Sequence, residues 1–297
     1  MRKTEFEKLE EALVRLLVRL GVNSLKNDPK RPDIKFSPIL GITLGSGLGY
    51  MTELLEEPLS LSYGDIPHCP VSSAPDHAGR LWFGKLSGVD VVMCQGRVHL
   101  YEGRDIQEVV FLTRLMAMLG AKQMILTHAT GATTKNLKPC DIVGIRDHIA
   151  LDCPDPTAGP REKEFEKRFP FEFTPMAEAY SPRLLDLAEE CALGRKKVAF
   201  RRGVSYFKKG RTFETAAEIE LMRRLGADVA TMSTVPEVIA AYQMGVEVLD
   251  LALVTNMGTG LGDVSHAGVV SVAQSMKEKF GGLITSIVPR MVALAKE

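Results

Sequence analysis

The chain has no net charge to spend on a partner: 37 Lys and Arg offset 37 Asp and Glu across 297 residues. Such a balance leaves no electrostatic footprint for nucleic acid or for an anionic membrane, so any anion site must be local and built from particular groups. Cysteine is scarce. Five residues (Cys69, Cys94, Cys140, Cys153, Cys191), an odd number without paired spacing, do not form a disulfide framework and read as the reduced thiols of a cytosolic enzyme. No apolar run has the length needed to span a bilayer, and there are no internal repeats or low-complexity tracts. The first residues do not read as a signal peptide either. Phe6, Leu9, Leu13, Leu16, Leu17 and Leu20 recur at helical spacing between charges, and Thr4 with Glu7 makes a capping box at the start. The expected location is the cytoplasm.

What is present is an ordinary globular composition, 45% hydrophobic and 25% charged. The chain reads as a single domain over 1–297, in which 1–37 form an N-terminal helix and a polar linker containing Asn27, Asp28, Pro29, Pro32 and Pro38. Beyond it, short apolar runs alternate with helical patterns. The runs Ile39 to Leu44, Val89 to Cys94, Gln123 to Thr127, Ile142 to Ile149 and Val246 to Val254 predict strands. Ile106 to Leu119, Pro182 to Leu193, Ala216 to Leu225, Pro236 to Met244 and a last stretch from His266 towards Val292 predict helices. Continuous apolar strands between helices indicate an α/β fold whose sheet is mostly parallel and covered on both faces. Asp152 to Tyr180 breaks the pattern. It is rich in Pro, Phe and charge, and a loop of that length inside a domain is usually functional or an interface element.

The polar residues worth following gather where these strands end. Val91-Val92-Met93-Cys94 runs into Gln95-Gly96-Arg97-Val98-His99-Leu100-Tyr101-Glu102-Gly103, which presents Arg, His and Tyr at alternate positions. A guanidinium is a planar fork of donors that fits phosphate, and an imidazole adds a donor whose charge adjusts near neutral pH. The first strand runs into Gly45-Ser46-Gly47-Leu48-Gly49, a turn that can bring backbone N–H groups and a hydroxyl to a ligand. It is not a dinucleotide fingerprint, because the third glycine is at the wrong offset and no acidic residue follows on a second strand. Nor is there a Walker lysine. Phe213-Glu214-Thr215 offers either a helix cap with a core aromatic or a flat apolar face beside an acceptor. Ser233 and Thr234, just ahead of Pro236, suit either an N-cap or an anion at a helix N-terminus. A hydrophobic strand ends in Thr255-Asn256, whose amide can hydrogen-bond a heterocycle. A phosphate cradle and a ring-recognition set on the carboxyl edge of one α/β sheet imply a phosphate-using enzyme acting on a heterocycle.

These motifs, in this order, resemble the trimeric purine nucleoside phosphorylase family, from about Pro38 to the last helix. The likeness includes Leu44-Gly45-Ser46-Gly47-Leu48-Gly49, the Gln95 to Gly103 stretch, Arg146-Asp147-His148-Ile149, Gly159-Pro160 through Phe165 to Arg168-Phe169-Pro170, and Met232-Ser233-Thr234-Val235-Pro236-Glu237-Val238. The resemblance implies a mixed central β-sheet flanked by helices. It also implies phosphorolysis of purine (deoxy)ribonucleosides to free base and (deoxy)ribose 1-phosphate in purine salvage, with inorganic phosphate as co-substrate and no metal or organic cofactor. It assigns the phosphate site to Ser46, His77, Arg97, His99, the backbone at Ala129 and Ser233. The base site falls to Phe213, Glu214 and Asn256, and the ribose site to Tyr101, Met232 and His266, with Phe165 reaching into a neighbouring subunit's pocket. Asn256, Glu214 and His99 are the groups expected to carry the chemistry, in a cyclic homotrimer whose partners are a purine nucleoside and phosphate, with no nucleic acid and no membrane.

The chain departs from the family at four places: Asp76 precedes His77 where a glycine is usual, His128-Ala129-Thr130-Gly131-Ala132 replaces Asn-Ala-Ala-Gly-Gly, Arg211 stands ahead of Phe213, and Ser205 takes the place of a tyrosine. None removes a named group. They bear on rate and on the preferred purine, and they leave open a methylthioadenosine- or methylthioinosine-type phosphorylase or a catalytically weak purine- or phosphate-binding paralogue. Asn256 and His266 favour a 6-oxopurine nucleoside with a free 5′-hydroxyl.

Overall fold

In the computed structural model, which describes residues 3–20, 40–74, 77–158, 173–195, 198–262 and 266–295 (backbone alone at His266), one nine-stranded sheet organises the chain. The strands are Leu40–Leu44 (β1), Glu56–Ser62 (β2), Arg80–Leu86 (β3), Val89–Gln95 (β4), Gln123–Ala132 (β5), Ile142–Ile149 (β6), Phe200–Phe207 (β7), Val229–Thr231 (β8) and Glu247–Met257 (β9). The order is β2-β3-β4-β1-β5-β8-β7-β6-β9, and β5 also pairs with β9. Strands β4, β1, β5 and β9 are mutually parallel, while β2–β3, β3–β4, β5–β8 and β6–β9 pair antiparallel. The sheet is therefore mixed, with a parallel centre. Because β5 bonds β9 along its whole length and β8 at Gly131 and Ala132, strands β5, β8, β7, β6 and β9 close into a ring.

Helices cover both faces, as continuous apolar strands require. Glu5–Arg19 (α1), Ile106–Met118 (α2) and Val235–Gln243 (α5) pack on one side. Pro182–Leu193 (α3), His266–Ser275 (α6) and Lys277–Leu294 (α7) pack on the other, and Ala216–Arg224 (α4) covers a small satellite cluster. Helix α1 starts on the expected capping box: Thr4 Oγ1 accepts from the Glu7 N–H, and Glu7 returns to the Thr4 N–H. It buries Phe6, Leu9, Ala12, Leu16 and Leu17. The expected last helix is two, α6 and α7, broken at Met276. Among the described residues no helix is long and apolar enough to cross a membrane. The polar linker before β1, Asp76, the Phe165 segment and the His266 side chain lie outside the described residues.

Candidate active site

The loops after β1 and β4 meet strand β5 and the segment after β8 at the carboxyl edge of the parallel strands. Gly45 lies so close to β5 that a Cβ there would meet the Thr127 carbonyl and the His128 Cα at 2.8 Å. Its N–H donates to Thr127 Oγ1 (3.1 Å), which in turn donates to the Thr43 carbonyl (2.9 Å). After β4 the chain turns at Gly96, whose φ of +98° is open to glycine and strained for other residues. A Cβ there would sit 2.7 Å from that of His77, so this glycine is what admits the His77 ring. The ring's Nδ1 lies 2.7 Å from the Arg97 carbonyl and 2.9 Å from the Arg97 N–H, and its Nε2 lies 3.4 Å from Ser46 Oγ. Burial first, then the neighbouring His99, brings the His77 pKa down to about 4, so the ring is neutral at neutral pH.

Arg97 is buried and largely committed to the protein. Its Nη2 donates to the Thr127 carbonyl (2.8 Å) and lies 3.5 Å from the Thr43 carbonyl, while its Nε is 3.1 Å from Glu237 Oε2, itself buried. Nη1 donates to Ser233 Oγ (3.2 Å). The expected fork is thus turned so that one edge grips the two central strands and the other meets Ser233. Burial, opposed by Arg97, raises the Glu237 pKa. Ser233 does not cap α5. Its hydroxyl is 3.2 Å from that of Thr231, and Thr234, at the helix N-cap position, sends its own hydroxyl to Asp250 (2.8 Å).

His99 is oriented from behind. Its Nδ1 lies 3.0 Å from Glu102 Oε1, the same oxygen accepts from the His99 N–H (2.8 Å), and Oε2 accepts from the Ser73 N–H and from the Ser72 and Ser73 hydroxyls. Burial pushes the Glu102 carboxyl up, but those donors outweigh it and hold its pKa near about 2. A permanent carboxylate at Nδ1 fixes the proton there and turns Nε2 outward as the free nitrogen. Burial lowers the His99 pKa, and Glu102 partly restores it. Tyr101 stacks on His99 with centroids 4.5 Å apart and planes 15° apart. Arg211 lies 5.9 Å above the Tyr101 ring, and the His77 ring stands 5.1 Å from that of His99, tilted by 47°.

The base-recognition candidates sit on the adjoining rim. Helix α4 is capped by Thr215 with Glu218, so the cap takes neither Phe213 nor the Glu214 carboxylate. Phe213 is about half exposed, and burial raises the Glu214 pKa. Lys208 ties this loop to β8: its N–H donates to the Thr231 carbonyl (2.9 Å), and its ammonium reaches Glu218 (3.0 Å) and the Phe213 carbonyl. At the end of β9 an irregularity shifts the register so that Gly131 faces Asn256, and a Cβ on Gly131 would meet Asn256 Nδ2 at 2.9 Å. That amide donates to the Met257 carbonyl (3.1 Å), and its Oδ1 accepts from the Thr255 hydroxyl (3.1 Å). Met232 and Ala129 are partly buried beside these groups in sequence.

Direct contacts therefore bring together Ser46, His77, Arg97, His99, Ser233 and Tyr101, and Arg211 links the loop of Phe213 and Glu214 to Tyr101; Asn256 makes its contacts within β9 and with β5. Sequence reasoning assigned no role to Glu102, Glu237, Lys208 or Asp250. The His99-x-x-Glu102 spacing was a usable signal, since a side chain three residues on can reach back to the N-cap. Among the described residues no three His, Cys, Asp or Glu side chains gather as a metal site would require.

Residues 39–289 match the model of the phosphorylase superfamily. The chain is 40% identical over 259 residues to purine nucleoside phosphorylase 1 of Geobacillus stearothermophilus, covering 86% of this chain and 92% of that one. Among solved structures it superposes on a schistosome purine nucleoside phosphorylase in complex with hypoxanthine with a TM-score of 0.85, at 29% identity over 97% of this chain and 98% of that one. Isoform 2 of the Schistosoma mansoni enzyme, in complex with cytosine and ribose-1-phosphate, gives a TM-score of 0.84 at 31% identity over 96% of each chain.

Proposed function

The chain belongs to the phosphorylase superfamily, and from that premise we propose that it is a purine nucleoside phosphorylase, transferring the pentosyl group of a purine nucleoside to inorganic phosphate. The observation that carries this reading is the cluster of Ser46, His77, Arg97, His99 and Ser233 at the carboxyl edge of the parallel strands. Arg97 Nη1 and the Ser46 and Ser233 hydroxyls act as donors to phosphate, joined by the backbone at Ala129. His99, its Nδ1 proton pinned by Glu102, offers Nε2 to the remaining phosphate proton.

Cleavage of the glycosidic bond passes through an oxocarbenium-like ribosyl group, as in glycoside hydrolysis. A phosphate dianion beneath the ring stabilises that charge and then captures C1′. Electron density arriving on the purine is met by Asn256 at the N7/O6 edge and Glu214 at N1–H, while Phe213 stacks on the ring and Tyr101, Met232 and His266 hold the ribose. A 6-oxo group accepts from the amide while N1–H donates to the carboxylate. A 6-amino purine reverses this pattern and leaves buried groups unpaired, a penalty of about 10⁴ in kcat/KM at sites built this way. No metal or organic cofactor enters this scheme. The enzyme is a cytoplasmic homotrimer in which Phe165 of one subunit closes the ribose site of the next.

Turnover of inosine, guanosine, xanthosine, adenosine and methylthioadenosine, each with and without phosphate, tests the assignment. Phosphate-dependent release of hypoxanthine or guanine is expected, and adenosine cleaved as fast as inosine would overturn the roles of Asn256 and Glu214. Sedimentation should give a trimer. A fully active monomer would refute the shared site, as would a Phe165→Ala variant with unweakened nucleoside binding.

A further inference from the structure

His128 replaces an asparagine in the motif that carries Ala129, and it lies against a carboxylate inside the protein. His128 on β5 and Asp250 on β9 are 2% and 0% exposed, and His128 Nδ1 is 3.1 Å from Asp250 Oδ1. The other carboxylate oxygen accepts from the fully buried Thr234 hydroxyl (2.8 Å). Both ends of this chain adjoin the anion cluster. Thr127, next to His128, accepts from Arg97 Nη2, and Ser233, next to Thr234, accepts from Arg97 Nη1. His128 Nε2 is buried and has no hydrogen-bond partner among the described residues.

We propose that His128 and Asp250 are positioning residues that align the phosphate-site Ser233 from behind, through Thr234. The inference rests on the phosphorolytic reading above. Two buried contacts meet behind the cluster, Arg97 Nε to Glu237 Oε2 and His128 Nδ1 to Asp250 Oδ1, each 3.1 Å long. Loss of the His128–Asp250 contact or of the Thr234 hydroxyl should loosen Ser233 and weaken phosphate binding while sparing nucleoside binding.

The test is phosphate KM, inosine KM and kcat for wild type, His128→Asn, His128→Leu, Thr234→Ser and Thr234→Val, each checked for folding by circular dichroism. Asparagine at 128 places an N–H where Nδ1 was and keeps the hydrogen bond to Asp250, and serine at 234 keeps the hydroxyl; leucine and valine remove them. His128→Leu and Thr234→Val should raise phosphate KM about tenfold, the loss of one hydrogen bond to a charged group, with inosine KM within about twofold. His128→Asn and Thr234→Ser should stay within about threefold of wild type. Unchanged phosphate KM in His128→Leu and Thr234→Val, or an equal rise in inosine KM, would overturn the proposal. If one of the two does not fold, the other still decides. Absence of phosphate-dependent turnover in wild type would sink the phosphorolytic reading instead, which keeps the two failures apart.

Discussion

Replacing Glu102 by Gln isolates the orientation of His99 from its presence. The carboxylate accepts from the His99 Nδ1–H and backbone N–H on one oxygen and from Ser72 and Ser73 on the other. An amide can keep one of those sides only, because its NH₂ must confront donors at the other. Whichever way it turns, a hydrogen bond to a charged group is lost, worth about 1.5–3 kcal/mol, and a buried donor is stranded. If the lost side is His99, the proton is free to move to Nε2 and the nitrogen offered to phosphate becomes a donor. The expected result is a fall of about 10–100-fold in kcat/KM for phosphate, since each 1.4 kcal/mol is tenfold, with a smaller change in inosine KM. The pH dependence has a defined sign. Burial lowers the His99 pKa and Glu102 raises it, so in Glu102→Gln the acidic limb of the phosphate kcat/KM profile should move to lower pH. Stability provides a second readout. The Glu102 carboxyl is held at about 2, below its ordinary 4.5, so its contribution is complete above about 4.5 and is lost as pH falls towards 2. The urea-midpoint gap between wild type and Glu102→Gln should therefore shrink as pH falls from about 4.5 towards 2. Unchanged phosphate kinetics, or a gap that widens over that window, would refute the reasoning.

Arg97→Ala should raise phosphate KM far more than nucleoside KM. It also abandons the buried Glu237, so it should lower unfolding free energy by about 3–5 kcal/mol in urea titrations. Arg97→Lys should recover only part of both, because an ammonium cannot reach Thr127, Glu237 and Ser233 at once. Gly96→Ala should cost about 1–3 kcal/mol from its φ alone and should raise phosphate KM by displacing His77, whose Cβ would lie 2.7 Å from the new methyl. Normal phosphate kinetics in that variant would mean that the placement of His77 is immaterial.

The elements legible in the sequence were those whose pattern reports their environment. Strands β1, β4, β5 and β9 and the first half of β6 are largely buried apolar runs, and α1 carries its cap and stripe in plain view. Strand β2 escaped because it is an exposed edge with Glu56, Glu57 and Pro58. Strand β7 escaped because Arg201, Arg202 and Gly203 interrupt its apolar run. The site motifs were legible as motifs, but their internal wiring was not. That Arg97 spends one edge on the Thr43 and Thr127 carbonyls depends on the lateral register of β1, β4 and β5, which no local spacing encodes. Asp250 could have been found, since a lone carboxylate within the apolar run Val248 to Val254 cannot stay unpaired at the centre of a sheet. Its partner, 122 residues earlier, could not.

The ring of β5, β8, β7, β6 and β9 carries a consequence for the order of biosynthesis. Strand β5 is complete at Ala132, yet the strand that covers its other edge begins only at Glu247. At about 5–20 residues per second, a ribosome leaves that edge open for roughly 6–20 s. Asn256 and the His128–Asp250 contact both wait for the same late strand. A chain released before β9 is made would hold Arg97, His99 and Ser46 but have neither the amide nor the buried carboxylate, and it would expose an unpaired apolar strand. Premature termination should therefore yield aggregating, inert fragments rather than partly active enzyme, and holdase chaperones should engage nascent chains most strongly between the emergence of β5 and that of β9.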